Sequence, residues 1–322
     1  MTNSTKIIKP ARLKKGDTIG LITPAGPITA EQLEQTKTLL NQLGYNTYHT
    51  NNVLLQKGYL AGTDSERLDD LHQMFKNEEV NAILCIRGGY GTPRLLDNID
   101  YDLIRNNPKI FIGYSDITAL LQAIYKFTGL ITFHGIVGIS DFTEYTKHNF
   151  LEILTNSNES LLIKSIEEDG NLNEEYKPYV IENGIVQGEL AGGNLALMVA
   201  LMGTPFEIDI EDKLLFIEDI GEAPFRVDRM LTQLILSGKL QKARAIVLGV
   251  FNDCDFNGDD ITAENSLSLK EVITDRLSGL GIPVMYGFSF GHIANQAIFP
   301  VGIQAELNTE KKTIKLLEKV VL

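Results

Sequence analysis

Thiols are scarce in this chain: its 322 residues include two cysteines, Cys85 and Cys254, far apart and without the close spacing of a zinc site or a disulfide framework. That excludes a stapled scaffold and fits a reducing compartment. Long apolar runs are missing too. No stretch approaches the roughly 20 residues needed to cross a bilayer, and the N-terminus, MTNSTKIIKPARLKKGD, lacks the apolar centre of a secretory leader. The expectation is a cytoplasmic protein with no membrane partner. Positive charge is in deficit, with 29 Lys and Arg against 42 Asp and Glu, a net charge of -13 and a pI near 4.9. Such a field opposes nucleic acid and anionic lipid. The basic pairs Lys14–Lys15 and Lys311–Lys312 are too small to reverse it. Tryptophan is absent altogether, and only five histidines are available as bases or ligands.

What remains is the composition of a folded protein, 43% hydrophobic and 22% charged, long enough for two cores. The first half alternates two periodicities. TIGLITPAG, at 18–26, is an apolar strand closed by Pro and Gly, and Thr29-x-x-Gln32 then supplies a capping box for a helix ending near Gly44. Thr63-x-x-Glu66 caps a second helix through about Lys76, and VNAILCI (80–86) and KIFIG (109–113) read as further buried strands. Strands apolar on both faces, separated by amphipathic helices, predict an α/β fold whose N-terminal part is a doubly wound, mainly parallel sheet. From about 150 to 182 the chain turns polar and acidic, which reads as a connection. A second mixed region follows, with strands near 184–190, 213–217, 244–250 and 301–307 and helices near 194–202, 224–237 and 268–278. The division is therefore 1–150, a linker at 151–182, and 183–322.

In a doubly wound sheet, ligands bind beyond the carboxyl ends of the strands, where RGGYG (87–91) and GYSD (113–116) both fall. Ser115 follows a strand and precedes a helix, a turn that suits a nucleophile, although a serine at such a position is more often a helix cap. The elbow pattern G-x-S-x-G is incomplete, because Ile117 stands at the last glycine position. In Arg87-Gly88-Gly89-Tyr90-Gly91 the glycines permit close backbone approach, as half of an oxyanion hole or as a tight turn. Their spacing matches neither a P-loop nor a dinucleotide fingerprint.

A hydroxyl nucleophile needs a base and an orienting acid from other segments. His134 in TFHG and His292 in FGHIANQ both adjoin glycines, whereas His49, His72 and His148 lie in polar or helical-surface contexts. LLFIED ends a strand with Glu218 and Asp219, whose side chains should take opposite faces, as site residues or as caps and partners of Arg226 or Arg229. One metal pattern is present: Asp253, Asp255, Asn257 and Glu264 follow the ligand order of a calcium loop. The incoming segment reads as a strand, however, and Asp260 replaces the usual apolar anchor. An acidic surface loop is therefore the expectation, with no metal.

Several segments together resemble the LD-carboxypeptidase family, serine peptidases that remove D-alanine from cell-wall tetrapeptides. They are GDTIGLITPAGPI, RGGYGTPRLLDNIDYDLI, FIGYSDITALL, GGNLALMVALMGTPF, FIEDIGEAPFRVDRML and GHIANQAIFPVG, in the family's order and spanning nearly the whole chain. The resemblance implies Ser115 as nucleophile, Glu218 as triad carboxylate and His292 as base, with oxyanion donors from the N–H groups of Asp116 and of Gly88 or Gly89. It also implies an N-terminal domain related to class I glutamine amidotransferases, a swivelling β-rich C-terminal domain, a homodimer, a murein tetrapeptide substrate and no cofactor. Two further readings are a hydrolase of peptidyl-nucleotide antibiotics, whose family stacks adenine on an aromatic ring, and a non-catalytic binding protein on the same scaffold. One departure is Ile136 in FHGIVG, where the family often has proline.

Overall fold

The computed structural model describes residues 6–166, 176–256 and 266–322. The first half runs β1 (Thr18–Ile22), α1 (Ala30–Gln42), β2 (Asn46–Tyr48), α2 (Asp64–Lys76), β3 (Ala82–Cys85), α3 (Tyr101–Asn106), β4 (Ile110–Gly113), α4 (Thr118–Thr128), β5 (Thr132–His134) and α5 (Glu144–Thr155). Both predicted capping boxes form, Thr29 with Gln32 and Thr63 with Glu66, each satisfying helix N–H groups that would otherwise be orphaned.

The rest of the chain supplies β6 (Leu161–Lys164), β7 (Tyr179–Glu182), β8 (Ile185–Asn194), α6 (Leu195–Ala200), β9 (Lys213–Glu218), α7 (Pro224–Leu236), β10 (Ala245–Leu248), α8 (Leu269–Leu277), β11 (Val284–Tyr286), β12 (Phe299–Val301), β13 (Gln304–Asn308) and β14 (Thr313–Leu316). Two sheets result, ordered β12-β5-β4-β3-β1-β2 and β6-β14-β13-β8-β9-β10-β11-β7. The protein is a two-domain α/β fold. In the first sheet every neighbouring pair is parallel except β12 with β5. In the second, β8 to β11 are parallel and the flanking strands antiparallel.

Side-chain alternation explains the layers. Ile19, Leu21 and Leu84 face α1 and α5 through Leu33, Leu40 and Phe150, whereas Ile22, Ile83 and Phe111 face α2, α3 and α4 through Leu71, Ile104 and Leu120. Helices therefore cover both faces of the first sheet. One face of the second sheet, with Leu214, Phe216 and Met285, joins the same core as α1 and α5, and its other face is covered by α6, α7 and α8. No helix among the described residues is long and apolar enough to cross a membrane.

Two segments differ from the pattern read in the sequence. Residues 151–182, polar in composition, contribute β6 and β7, the two edges of the second sheet. Each is a short apolar run within that polar stretch, and in β6 Leu161 and Ile163 are buried while Leu162 and Lys164 on the alternate face are exposed. The strand expected near 301–307 is split. Phe299–Val301 pairs with β5 in the first sheet, and after Gly302, at φ +90°, the chain enters the second as β13. This crossover and α4 hold the domains together. Asn194 N–H donates to Thr118 Oγ1 at 3.0 Å, and Gln122 Nε2 donates to the Gly192 carbonyl at 2.6 Å.

Gly192 has φ +137°, and a methyl built on it collides with the backbone carbonyl of Phe216. Gly192→Ala should therefore lower the unfolding free energy by about 3 kcal/mol or more, read by urea denaturation.

Candidate active site

The carboxyl ends of β3 and β4 bring two loops together. Ser115 opens a short helical turn after β4 and has φ +64°, a left-handed conformation rarely taken by a residue with a side chain. It stands at the start of α4, where unpaired N–H groups and the helix dipole favour negative charge. The Asp116 N–H lies in this turn. The Asp116 carboxylate is buried and accepts the Thr92 N–H at 2.8 Å, while its carbonyl accepts the Thr92 hydroxyl. Asp116 thereby ties the serine turn to the end of the glycine loop. Burial pushes its pKa up, against the Thr92 bonds.

Gly88 packs directly on the serine: a methyl there would stand 2.9 Å from Ser115 Cβ and 3.1 Å from its Oγ. Its carbonyl accepts the Gly26 N–H at 3.0 Å. In a trans peptide the following N–H, that of Gly89, points the opposite way, away from the Gly26 loop. Gly89 itself, at φ +113°, leaves room for Gly26. Buried Arg67 braces both loops, donating to the carbonyls of Pro24 and Gly91.

The second domain supplies an acid and a base. Glu218 ends β9, fully buried, and its Oε2 lies 2.7 Å from Nδ1 of His292. Gly291, at φ +110°, permits this approach: a side chain there would crowd Glu218 Cβ and Oε2 at 3.2 and 3.3 Å. Gln296 Nε2 donates to the Gly291 carbonyl at 2.8 Å and steadies the histidine's loop. Burial pulls the His292 pKa down, but the charge and hydrogen bond of Glu218, aided by Asp219, outweigh it and leave the pKa raised. Burial likewise opposes ionisation of Glu218, and the His292 charge and bond overcome it and hold its pKa low. The pair is a carboxylate and an imidazole ready to take a proton on Nε2.

Asp219 turns to the other side of the strand. It accepts Asn194 Nδ2 at 2.9 Å and the Ala196 N–H at 3.0 Å, so it caps α6, while Arg226 pairs with Glu222. Burial, then the charge of Glu218, raises its pKa to about 7. His134 lies fully buried beside the same site, with no hydrogen-bond partner. Ser115 and His292 are joined through Tyr114, whose ring centroid lies 4.7 Å from that of His292. No hydrogen bond links Ser115 Oγ to His292 in this structure. Of the residues read from sequence, then, Glu218 meets His292, and Gly88 meets Ser115. Four others were not singled out: Asn194, Thr92 and Arg67 act through long-range contacts that no local pattern encodes, and Gln296 acts within its own loop, on Gly291 five residues back, with no motif to mark it.

Of the calcium-loop residues, Asp255 accepts the Leu269 N–H at 3.2 Å at the start of α8, and Asp253 adopts φ +55°. Asn257 and Glu264 lie outside the described residues. Among the described residues, no group of three or more acidic, His or Cys side chains could hold a metal.

Comparison with known proteins matches the LD-carboxypeptidase N-terminal domain to residues 19–135 and the LD-carboxypeptidase C-terminal domain to residues 187–307. The chain belongs to the LD-carboxypeptidase family. Among its relatives, the Bacillus subtilis (strain 168) protein named "Probable murein peptide carboxypeptidase" is 43% identical, covering 95% of this chain and 93% of its own. The microcin C7 self-immunity protein MccF of Escherichia coli is 30% identical, covering 96% and 95%. A solved MccF structure superposes with a TM-score of 0.86, at 30% identity, over 98% of this chain and 100% of that one. The crystal structure of the muramoyltetrapeptide carboxypeptidase from Oxalobacter formigenes gives a TM-score of 0.80 at 32% identity over 93% of this chain and 97% of that one.

Proposed function

We propose that this protein is a serine-type LD-carboxypeptidase that hydrolyses the bond before the terminal D-alanine of murein tetrapeptides, with Ser115, Glu218 and His292 as its triad. The observation that carries the reading is the 2.7 Å Glu218–His292 pair beside a serine turn at φ +64°. His292 Nε2 takes the Ser115 proton as Oγ attacks the carbonyl carbon, and Glu218 supports the imidazolium. The N–H groups of Asp116 and of Gly88 or Gly89 receive the oxyanion, each contributing about 3–4 kcal/mol in the transition state. The C–N bond then breaks, His292 returns the proton to the leaving amine of D-alanine, and water hydrolyses the acyl-serine by the reverse proton route. The acidic, thiol-poor composition supports a cytoplasmic role in recycling cell-wall peptides. In this reading the first domain is related to class I glutamine amidotransferases, the second swivels against it to bring His292 onto Ser115, and the chain works as a homodimer without a cofactor.

The likeness to MccF favours one second reading, cleavage of a peptidyl-nucleotide antibiotic. With no tryptophan in the chain, stacking on adenine would fall to Tyr or Phe. A panel of murein tetrapeptides and an acyl sulfamoyl adenosine, with products identified by mass spectrometry, separates the readings. Release of D-alanine is expected. Cleavage of the nucleotide conjugate alone would replace the substrate assignment, and turnover of neither would favour a binding protein on the same scaffold.

A further inference from the structure

His134 has no part in the mechanism above, yet it sits at the centre of the interface that mechanism needs. It ends β5, in register with Gly113 of β4 and Phe299 of β12, and so belongs to the first sheet. Its ring packs on three rings, each next to a triad residue in sequence. Phe216, two residues before Glu218, lies 5.2 Å away between centroids; Phe290, two before His292, lies at 6.2 Å; and Tyr114, just before Ser115, lies at 6.2 Å. No other ring among the described residues touches all three.

Packing alone does not account for an imidazole here. Phenylalanine would fill the space without burying two polar atoms, and each buried polar group left unpaired costs about 1–3 kcal/mol. Both ring nitrogens of His134 are buried without a hydrogen-bond partner, and so is Oε1 of Glu218. Burial lowers the His134 pKa to about 4, with the Glu218 charge opposing and the His292 charge adding. The ring is therefore neutral at working pH and always carries one N–H. The titratable groups facing it are Glu218 from β9, His292 from the loop after Phe290 and Tyr114 from the serine turn. Gly113 and Phe299 on the flanking strands bring none. Glu218 is the one carboxylate in this set, and one of its oxygens is free.

We propose that His134 is a positioning residue for the triad: when the site closes, its N–H engages Oε1 of Glu218, locking the carboxylate so that Oε2 stays on Nδ1 of His292 and His292 faces Ser115. The idea rests on the triad assigned above. It places the third contact of the acid–base pair in the opposite domain, so that the pair is fully ordered only when the domains are in register.

The test compares His134→Phe, His134→Asn and His134→Gln by D-alanine release across pH, with thermal melts as the control on folding. In His134→Phe, kcat should fall about 10- to 100-fold, as expected for a lost hydrogen bond to a charged group, with KM within about twofold. The acid limb should move to higher pH, because an unshared carboxylate holds the imidazolium more tightly. Asn or Gln, poorer at filling the space but able to donate, should restore part of kcat. Wild-type kcat and pH profile in His134→Phe would overturn the proposal, as would equal losses in all three variants with an unmoved limb. NMR titration of His292 reads the same effect without substrate: its pKa should rise in His134→Phe, and an unchanged value overturns the proposal whichever substrate the enzyme takes. Absence of D-alanine release by the wild type would instead count against the proposed function.

Discussion

Replacing Ser115 by alanine should abolish D-alanine release, with kcat falling by about 10⁴-fold or more, while the fold and substrate binding persist. In the proposed mechanism the loss is this large because the Ser115 oxygen is the atom that bonds to substrate; without it the Glu218–His292 pair and the proposed oxyanion donors have nothing to activate. A second replacement separates chemistry from conformation. Ser115 holds φ +64°, where a side chain costs about 1–2 kcal/mol relative to glycine. Ser115→Gly should be as inactive as the alanine variant yet more stable than wild type by about 1 kcal/mol. Matched assays of D-alanine release and urea denaturation read both effects. Normal turnover by Ser115→Ala would end the serine mechanism. Lower stability of Ser115→Gly would show that the turn is not strained.

The reach of the sequence follows from how local each feature is. The helices starting at Thr29 and Thr63 were legible because a capping box is closed within four residues. Buried parallel strands were legible because they are apolar on both faces. Strand β12 was not, since Phe299–Val301 looks like the start of β13, and only its pairing with distant β5 separates them. The edge strands β6, LLIK, and β7, YVIE, were hidden for another reason: each is only four residues long and sits in a stretch that is otherwise polar and acidic. At the site, the turn at Ser115 could be read from its strand and helix, but its positive φ could not, because the residue is not glycine. His134 and His292 looked alike in sequence, each beside a glycine and near a phenylalanine. The structure puts both at the same place, one bonded to Glu218 and the other buried without a partner. No spacing rule anticipates that two similar histidines share a carboxylate's surroundings from opposite domains.

Glu218→Gln tests the electrostatics of the pair and should cost about 10⁴-fold in kcat, the scale seen when the acid of a serine triad becomes an amide and the imidazole takes the wrong tautomer. Its pH dependence is the sharper readout. In the proposed mechanism His292 must be neutral to act as base, and its pKa is raised above the ordinary 6.5 because Glu218 overrides burial. Wild-type kcat/KM should therefore fall as pH drops through a value above 6.5. Without the carboxylate charge, the effect of burial dominates, and the residual activity of Glu218→Gln should persist to lower pH than that of the wild type. Stability follows with a worked sign. A raised His292 pKa adds stability that is complete below the unfolded value of about 6.5 and lost as pH rises through the folded one. A lowered Glu218 pKa adds stability present above about 4.3 and lost as pH falls through its folded value. The ion pair thus helps the fold most between those limits, in mildly acidic solution. Thermal melts of wild type and Glu218→Gln should differ most there and converge as pH rises past the His292 pKa, where the buried carboxylate faces a neutral ring and its desolvation is no longer offset. A difference that grew with pH instead would mean that Glu218 is held by something other than the charge on His292.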